Sequence, residues 1–466
     1  MGFEVSTPVK VWLTTGDQAK LLTHEASLPL FYNATVSARD PLVEVHPDKT
    51  YQQMIGFGAA MTDASAYLIQ NRMSAADRES LLQDLFGSEN GIGMSFIRVP
   101  MGASDFSHRH YSYDDMPAGQ NDSALAHFSI DVDRGEKLPL LRRAIAINPQ
   151  LEVMASPWSP PAWMKTTDNL VKGTLLPKYY DSFANYFVKF IQAYGAAGVP
   201  IHAISLQNEP NFEPDNYPGM RLDPAARARV IGRHLGPAFA RAGIKTQIWD
   251  WDHNWDLPQQ PLDVLSDSIA RGYVQGVAWH CYGGDVSAQS TVHDAHPEKD
   301  AYFTECSGGE WSPKFDENLK WTVNTLVIGS TRNWARGVLL WNLALDENHG
   351  PHLGGCGNCR GIVTIDSKTG KYTKNAEYYA LAHASKFVRP GAHRVASTSS
   401  DSTLSSVAFQ NIDGSKVVIV LNTAAAPSHF TVLWGPPGLP LPASSPRNEA
   451  FHYTLPAGSV ATFSWR

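Results

Sequence analysis

The sequence has little of what marks several common protein classes. Its 466 residues include only four cysteines, Cys281, Cys306, Cys356 and Cys359, all in the last two fifths of the chain. A dense disulfide framework is excluded, so a hydrophobic core must carry the stability. Charged residues make up 18% against about 25% in ordinary globular proteins, and the net charge of −7 comes with no basic cluster. A nucleic-acid footprint is not expected. No apolar run approaches the roughly 18 residues of a membrane helix. The start, Met1-Gly2-Phe3-Glu4-Val5, lacks an apolar leader core. Two expectations follow: a secreted or periplasmic protein whose leader is removed, or a cytoplasmic one. A glycine-rich phosphate cradle, a Ser nucleophile elbow and a His-Glu-x-x-His motif are all missing, which disfavours nucleotide, acyl-transfer and metallohydrolase chemistry.

What is present is apolar and aromatic. Thirteen Trp, 17 Tyr and 19 Phe exclude disorder as a global description. Eight β-type runs lie near Met54–Phe57, Met94–Val99, Leu151–Ala155, His202–Leu206, Lys245–Trp249, Gln275–Trp279, Ala301–Thr304 and Gly337–Leu340. Helical patterns separate most of them: Asp77–Phe86, Glu136–Ile147, Tyr179–Tyr194, Pro224–Ala242, Pro261–Tyr273 and Asn318–Trp334. Phe183, Tyr186, Phe187, Phe190 and Tyr194 share one face of the clearest helix. Eight rounds of alternation predict an α/β fold, a parallel sheet closed into a (β/α)8 TIM barrel. After Lys386 the helical period stops. Val417–Leu421, His429–Trp434, Phe451–Leu455 and Val460–Trp465 are separated by Asp413-Gly414, Gly435-Pro436-Pro437-Gly438 and Ala457-Gly458, which predicts an antiparallel β-sandwich. Val9–Thr14 and Val43–Val45 are β-like as well. The predicted domains are 1–48, strands joining the sandwich; 49–384, the barrel; and 385–466, the C-terminal sandwich.

Barrel enzymes carry their chemistry where strands end. The eight ends supply Thr62-Asp63, Ser104-Asp105, Pro157-Trp158, Asn208-Glu209, Asp250-Trp251-Asp252, His280-Cys281-Tyr282, Glu305-Cys306 and Trp341-Asn342. Carboxylates and amides grip hydroxyls, and aromatic faces pack on pyranose rings. Two opposed carboxylates suffice to cleave a glycosidic bond. Glu209 and Glu305 end the fourth and seventh runs, about three βα units apart, which sets them on opposing walls of the mouth. Glu298 and Glu310 fit surface roles better. Plainer readings compete elsewhere: Asp63 as a helix N-cap, Trp158 and Trp341 as core, His280 as a satisfied buried histidine.

The same residues carry a resemblance. Gly56-Phe57-Gly58-Ala59-Ala60-Met61-Thr62-Asp63, Arg98-Val99-Pro100-Met101, Ala155-Ser156-Pro157-Trp158, Asn208-Glu209-Pro210, Thr304-Glu305-Cys306 and Trp341-Asn342-Leu343-Ala344-Leu345 resemble the glucosylceramidases of glycoside hydrolase family 30. The match runs in order across nearly the whole chain, to Ser385-Lys386-Phe387 and Asp413-Gly414-Ser415. It implies a barrel fused to a sandwich built from both chain ends. It implies a retaining mechanism, with Glu209 as acid/base and Glu305 as nucleophile. Asp63, Trp158, Asn208 and Trp341 would line the subsite for the non-reducing sugar, and His280 and Tyr282 match the family's pair near the nucleophile. No metal or organic cofactor is implied. One stretch departs from the animal enzymes: His349-Gly-Pro-His352-Leu-Gly-Gly-Cys356-Gly-Asn-Cys359, which should border the cleft. A zinc site is one reading of it, and a local disulfide or free thiols the preferred one.

In this scheme Glu209 needs a raised pKa, supplied in part by the charge of Glu305. The expected substrate is a β-D-glucoside, including glucosylceramide or a small aryl glucoside. The expected partner is therefore a carbohydrate or glycolipid. Endo-β-1,6-glucanase and β-xylosidase or xylanase activity are the alternatives within the family. A carbohydrate-binding protein without catalysis is the alternative of another class.

Overall fold

The computed structural model describes residues 3–32, 40–435 and 448–466. Two features named above, the Met1-Gly2 start and the Pro436-Pro437-Gly438 turn, lie outside the described residues. Backbone contacts divide the chain into two compact units. One comprises Gly58–Trp311 and Gly337–Lys374, the other Met1–Phe57, Ser312–Arg336 and Asn375–Arg466.

Eight strands close a barrel: β1 (Gly56–Ala60), β2 (Phe96–Pro100), β3 (Glu152–Ser156), β4 (Ala203–Ser205), β5 (Gln247–Asn254), β6 (Val274–His280), β7 (Asp300–Glu305) and β8 (Ala335–Asn342). Each corresponds to one expected run. Their residues are almost all buried, as strands covered on both faces require. Gly58 shows how tightly β1 meets β2. A Cβ there would sit 1.8 Å from the Phe96 carbonyl oxygen, so no larger residue fits. The helix Tyr180–Ala196 buries Phe183, Tyr186, Phe187, Phe190 and Tyr194, as its spacing predicts. The expected helix Pro224–Ala242 is interrupted. Pro224–Arg229 passes into a wider π-wound stretch, Val230–Leu235, before Gly236–Ala242. Pro237 has no N–H to donate, and widening the turn just before it accommodates the missing bond.

In the other unit, both ends of the chain build one sheet system. Phe3–Thr14 pairs antiparallel with Val460–Trp465. Leu42–Gln53 lies between His393–Ser399 and Ser428–Trp434. The second of these pairings is parallel, so the all-antiparallel expectation is corrected. The core alternates along the strands: Val9, Val11, Val43, Val45, Val418, Val420, Phe430, Val432 and Phe463 are all 0% exposed. Among the described residues, no helix is long and apolar enough to cross a membrane.

Candidate active site

The C-terminal ends of the barrel strands surround a cavity of about 600 Å³. Trp158, Asn208, Glu209, Tyr282, Glu305 and Trp341 line it, together with Asp105, which the sequence reading placed at a strand end without a role. Trp158 and Trp341 are 3% exposed, and their rings stack 5.1 Å apart at 23°.

Beneath them lies a buried polar network. Arg98 projects inward from β2 and is completely buried. Its Nη1 donates to Glu305 Oε2, and its Nη2 donates to Asp252 Oδ2 and to Asn208 Oδ1, each at 2.7 Å. The guanidinium also lies 4.8 Å from the Trp158 ring centre and 5.5 Å from that of Trp341. Because Arg98 occupies the Asn208 carbonyl oxygen, the amide NH2 is the group Asn208 can turn toward a sugar oxygen. Tyr282 donates its hydroxyl to Glu305 Oε1 at 2.9 Å. Asp252 accepts from Ser156 (2.8 Å), Ser205 (2.6 Å) and Thr304 (2.6 Å) as well. So many donors, with the Arg98 charge, outweigh burial and hold Asp252 far below the usual carboxylate range.

His280 bridges the two acids. Its Nδ1 lies 3.1 Å from Glu209 Oε1 and 3.9 Å from Glu305 Oε1, and its Nε2 lies 3.0 Å from Asp252 Oδ1. Together the first two distances bound the carboxylate separation at about 7 Å, which covers the ~5–5.5 Å of retaining glycosidases and only the lower edge of the ~6.5–9.5 Å of inverting ones. Burial opposes a charge on His280. The Glu305 charge and the hydrogen bonds to Asp252 and Glu209 overcome it and raise its pKa to about 9.

The two acids respond differently to their surroundings. Burial raises the Glu305 carboxyl above its ordinary range against the pull of His280 and Arg98. Burial acts on Glu209 in the same sense, but the His280 bond and the charges of His253, His280 and Arg98 hold it below its ordinary range. The expectation of a Glu209 raised by Glu305 is reversed here, because it omitted the cations. Asp105 is raised well above its ordinary value by burial and by the charges of Glu305 and Glu209, so the cavity contains a third carboxyl whose charged form is disfavoured.

The backbone is bent to make this arrangement. Glu209 has φ +49°, and Trp251 and Asp252 at the end of β5 have φ +75° and +54°. Non-glycine residues rarely adopt these values, and such strain collects at functional sites. A hydrogen bond from Glu209 N–H to the Asp252 carbonyl (3.1 Å) ties the two bends together.

Two of the expected residues stand outside this lining. Asp63 is not among the residues that line the cavity. Its carboxylate pairs with Lys137 at 2.8 Å, accepts from Ser107 and Tyr111, and lines a separate pocket. His280 is fully buried under Glu209 and does not line the cavity. The His349–Cys359 stretch does border it, through Gly355, Cys356 and Cys359. Its two cysteines form a disulfide, which excludes the zinc reading, and Cys281 is bonded to Cys306. Glu209, His253 and His280 offer ligand atoms within 4.8 Å of one another. Both His280 ring nitrogens already face carboxylates, Nδ1 toward Glu209 and Nε2 toward Asp252, so an ion at this trio would have to displace the proton shared with Glu209. Arg98, Asp252 and Asp105 were legible in part: an arginine inside an apolar barrel strand must be paired with something.

Opposed acids beside indole faces at the mouth of a (β/α)8 barrel point to a glycoside hydrolase. Comparison with known proteins agrees and narrows the class: the chain belongs to glycosyl hydrolase family 30. The family's TIM-barrel domain matches residues 54–388 and its beta sandwich domain residues 391–463. An endo-1,6-beta-D-glucanase from Neurospora crassa is 39% identical over 404 residues, covering 83% of this chain and 82% of that one. The lysosomal acid glucosylceramidase of Mus musculus is 33% identical over 453 residues, covering 91% and 83%. A solved endo-beta1,6-glucanase superposes with a TM-score of 0.87 at 32% identity, covering 98% of this chain and 99% of that one.

Proposed function

We propose that this glycoside hydrolase is an endo-acting β-1,6-glucanase that works with retention. Glu209 serves as acid/base and Glu305 as nucleophile. One observation carries the linkage: identity to the fungal endo-1,6-β-glucanases exceeds that to the glucosylceramidases. It favours the alternative over the glucosylceramide expectation.

In the first step Glu305 attacks the anomeric carbon while a proton reaches the departing oxygen. Tyr282 and Arg98 each hold one Glu305 oxygen, which fixes the direction of attack. The proton is available at the His280–Glu209 pair. The cationic His280 faces Glu209 across a 3.1 Å hydrogen bond, and transfer along it gives a neutral imidazole and a protonated Glu209. A sugar that expels water from the mouth favours this neutral pair over the ion pair. Once Glu305 is esterified, the Glu209–His280 pair accepts the proton of the attacking water. The Asn208 amide is placed for the 2-hydroxyl, where contacts strengthen in the transition state.

The test combines stereochemistry with product length. NMR of the first product of β-1,6-glucan cleavage should show the β anomer, and mean chain length should fall before free glucose accumulates. An α first product rules out retention. Glucose released from the outset, with chain length preserved, rules out endo action.

A further inference from the structure

Among the side chains of the cavity that bond cleavage does not use, two are large, aromatic and exposed. Phe212 is 45% exposed and Trp311 56%, although both line the cavity whose floor indoles are 3% exposed. Large aromatics presented to water beside a site mark a binding surface.

Both are held in place. The Phe212 N–H donates to the Glu209 carbonyl at 2.9 Å, so Phe212 is set by the same tight turn that gives Glu209 its positive φ. The Trp311 ring lies on Gly309: a Cβ there would come within 2.1 Å of the indole. Gly309 pairs with Cys359 in a two-residue ribbon, the Glu310 N–H donates to the Asn358 carbonyl at 3.0 Å, and Cys359 is bonded to Cys356. The hairpin is clamped in turn, with the Gly355 N–H donating to Asn216 Oδ1 at 3.3 Å. The disulfide stretch that departs from the animal enzymes thus braces an exposed indole.

We infer that Phe212 and Trp311 form the subsite for the leaving-group sugar, a glucopyranose on the far side of the scissile bond from Trp158 and Trp341. This rests on Glu209 being the acid/base. That group stands beside the departing oxygen, and Phe212 follows it by one turn of chain. A pyranose ring offers apolar C–H faces to such aromatics, and Asn254, which lines the same cavity and accepts from the Tyr282 N–H through Oδ1, keeps its amide NH2 for a sugar hydroxyl.

The experiment compares kcat/KM on β-1,6-linked gluco-oligosaccharides with that on β-D-glucosyl fluoride, whose one-atom leaving group cannot reach the platform. In Phe212→Ala and Trp311→Ala the ratio of the two should fall roughly 10- to 100-fold, as for truncation of a buried aromatic anchor. Cys356→Ser/Cys359→Ser should move it in the same direction. Turnover of the fluoride shows that each variant is folded. A ratio within twofold of wild type in both single variants overturns the subsite. If wild type cleaves a different β-linked oligosaccharide, the linkage reading fails and the same ratio, taken on that substrate, decides the subsite. A wild type that cleaves the fluoride and no oligosaccharide overturns both. Failure of the acid/base assignment appears separately, as oligosaccharide cleavage surviving in Glu209→Ala.

Discussion

Two imidazoles in this chain are equally buried and behave in opposite ways. His280, in the barrel mouth, is 0% exposed and faces Glu209 and Asp252, and its pKa rises to about 9. His383, in the sandwich unit, is also 0% exposed. It lies between the hydroxyls of Thr14 and Thr462, each 2.8 Å away, and burial lowers its pKa to about 3. Burial penalises the cation in both places, and only the partners differ. Neutral hydroxyls satisfy a neutral ring and leave a structural histidine. Carboxylates favour the cation of the same side chain and so keep a proton beside Glu209. The barrel mouth buries Arg98, Asp252 and Glu305 together, whereas the core strands of the sandwich bury valine and phenylalanine.

The largest effect expected from this contrast is catalytic and confined to the mouth. Glu305→Gln keeps the shape and removes the proposed nucleophile, so kcat/KM should fall on the order of 10⁴-fold or more. His383→Gln should leave hydrolysis within about twofold, since substitutions away from a site rarely disturb it. Steady-state kinetics on β-1,6-glucan checks both. A Glu305→Gln enzyme within tenfold of wild type would break the assignment of chemistry to this network.

The next effect is on stability, and pH separates the two regions. Arg98→Leu strands Asp252 and Glu305 as buried charges and should cost about 3–5 kcal/mol at neutral pH. Phe463→Ala opens a cavity in the sandwich core at a similar cost of about 3–5 kcal/mol. The Arg98→Leu penalty should shrink as acid protonates the stranded carboxylates, and the Phe463→Ala penalty should not. Denaturant unfolding of each variant at several pH values reads this directly. Parallel pH curves would show that Arg98 acts mainly as packing.

The fold was legible because its signal repeats. Eight apolar runs at βα spacing admit few closures, and each matches an observed strand. The sandwich strands His393–Ser399 and Leu404–Gln410 were missed, since serine and threonine dilute their alternation. At the site, position at a strand end picked out Glu209 and Glu305, and the family resemblance added Trp158, Asn208, Tyr282 and Trp341; all six line one cavity. Neither foresaw the pairing of Asp63, just past a strand end, with Lys137. Strand-end logic gives the neighbourhood of a side chain and not its direction. It failed also for proton balance, because the sum of Arg98, His253 and His280 acting on Glu209 is a property of three-dimensional distances.

The smallest effect is the linkage between protonation and stability at the two histidines, and its sign is opposite in the two regions. His280 titrates near 6.5 unfolded and near 9 folded, so its charged contacts stabilise fully below pH 6.5 and are lost as pH rises through 9. His383 titrates near 3 folded, so the unfolded chain binds the extra proton between pH 3 and 6.5, and stability falls as pH drops through that window. Each contribution is at most a few kcal/mol, at about 1.4 kcal/mol per pKa unit. Other groups titrate in the same ranges, so the useful quantity is wild type minus variant. For His280→Gln that difference should decline between pH 6.5 and 9. For His383→Gln it should rise from pH 3 to 6.5 and then stay level. Two slopes of the same sign would mean that the carboxylates around His280 do not hold it as a cation, and the proton proposed for the departing oxygen would need another source.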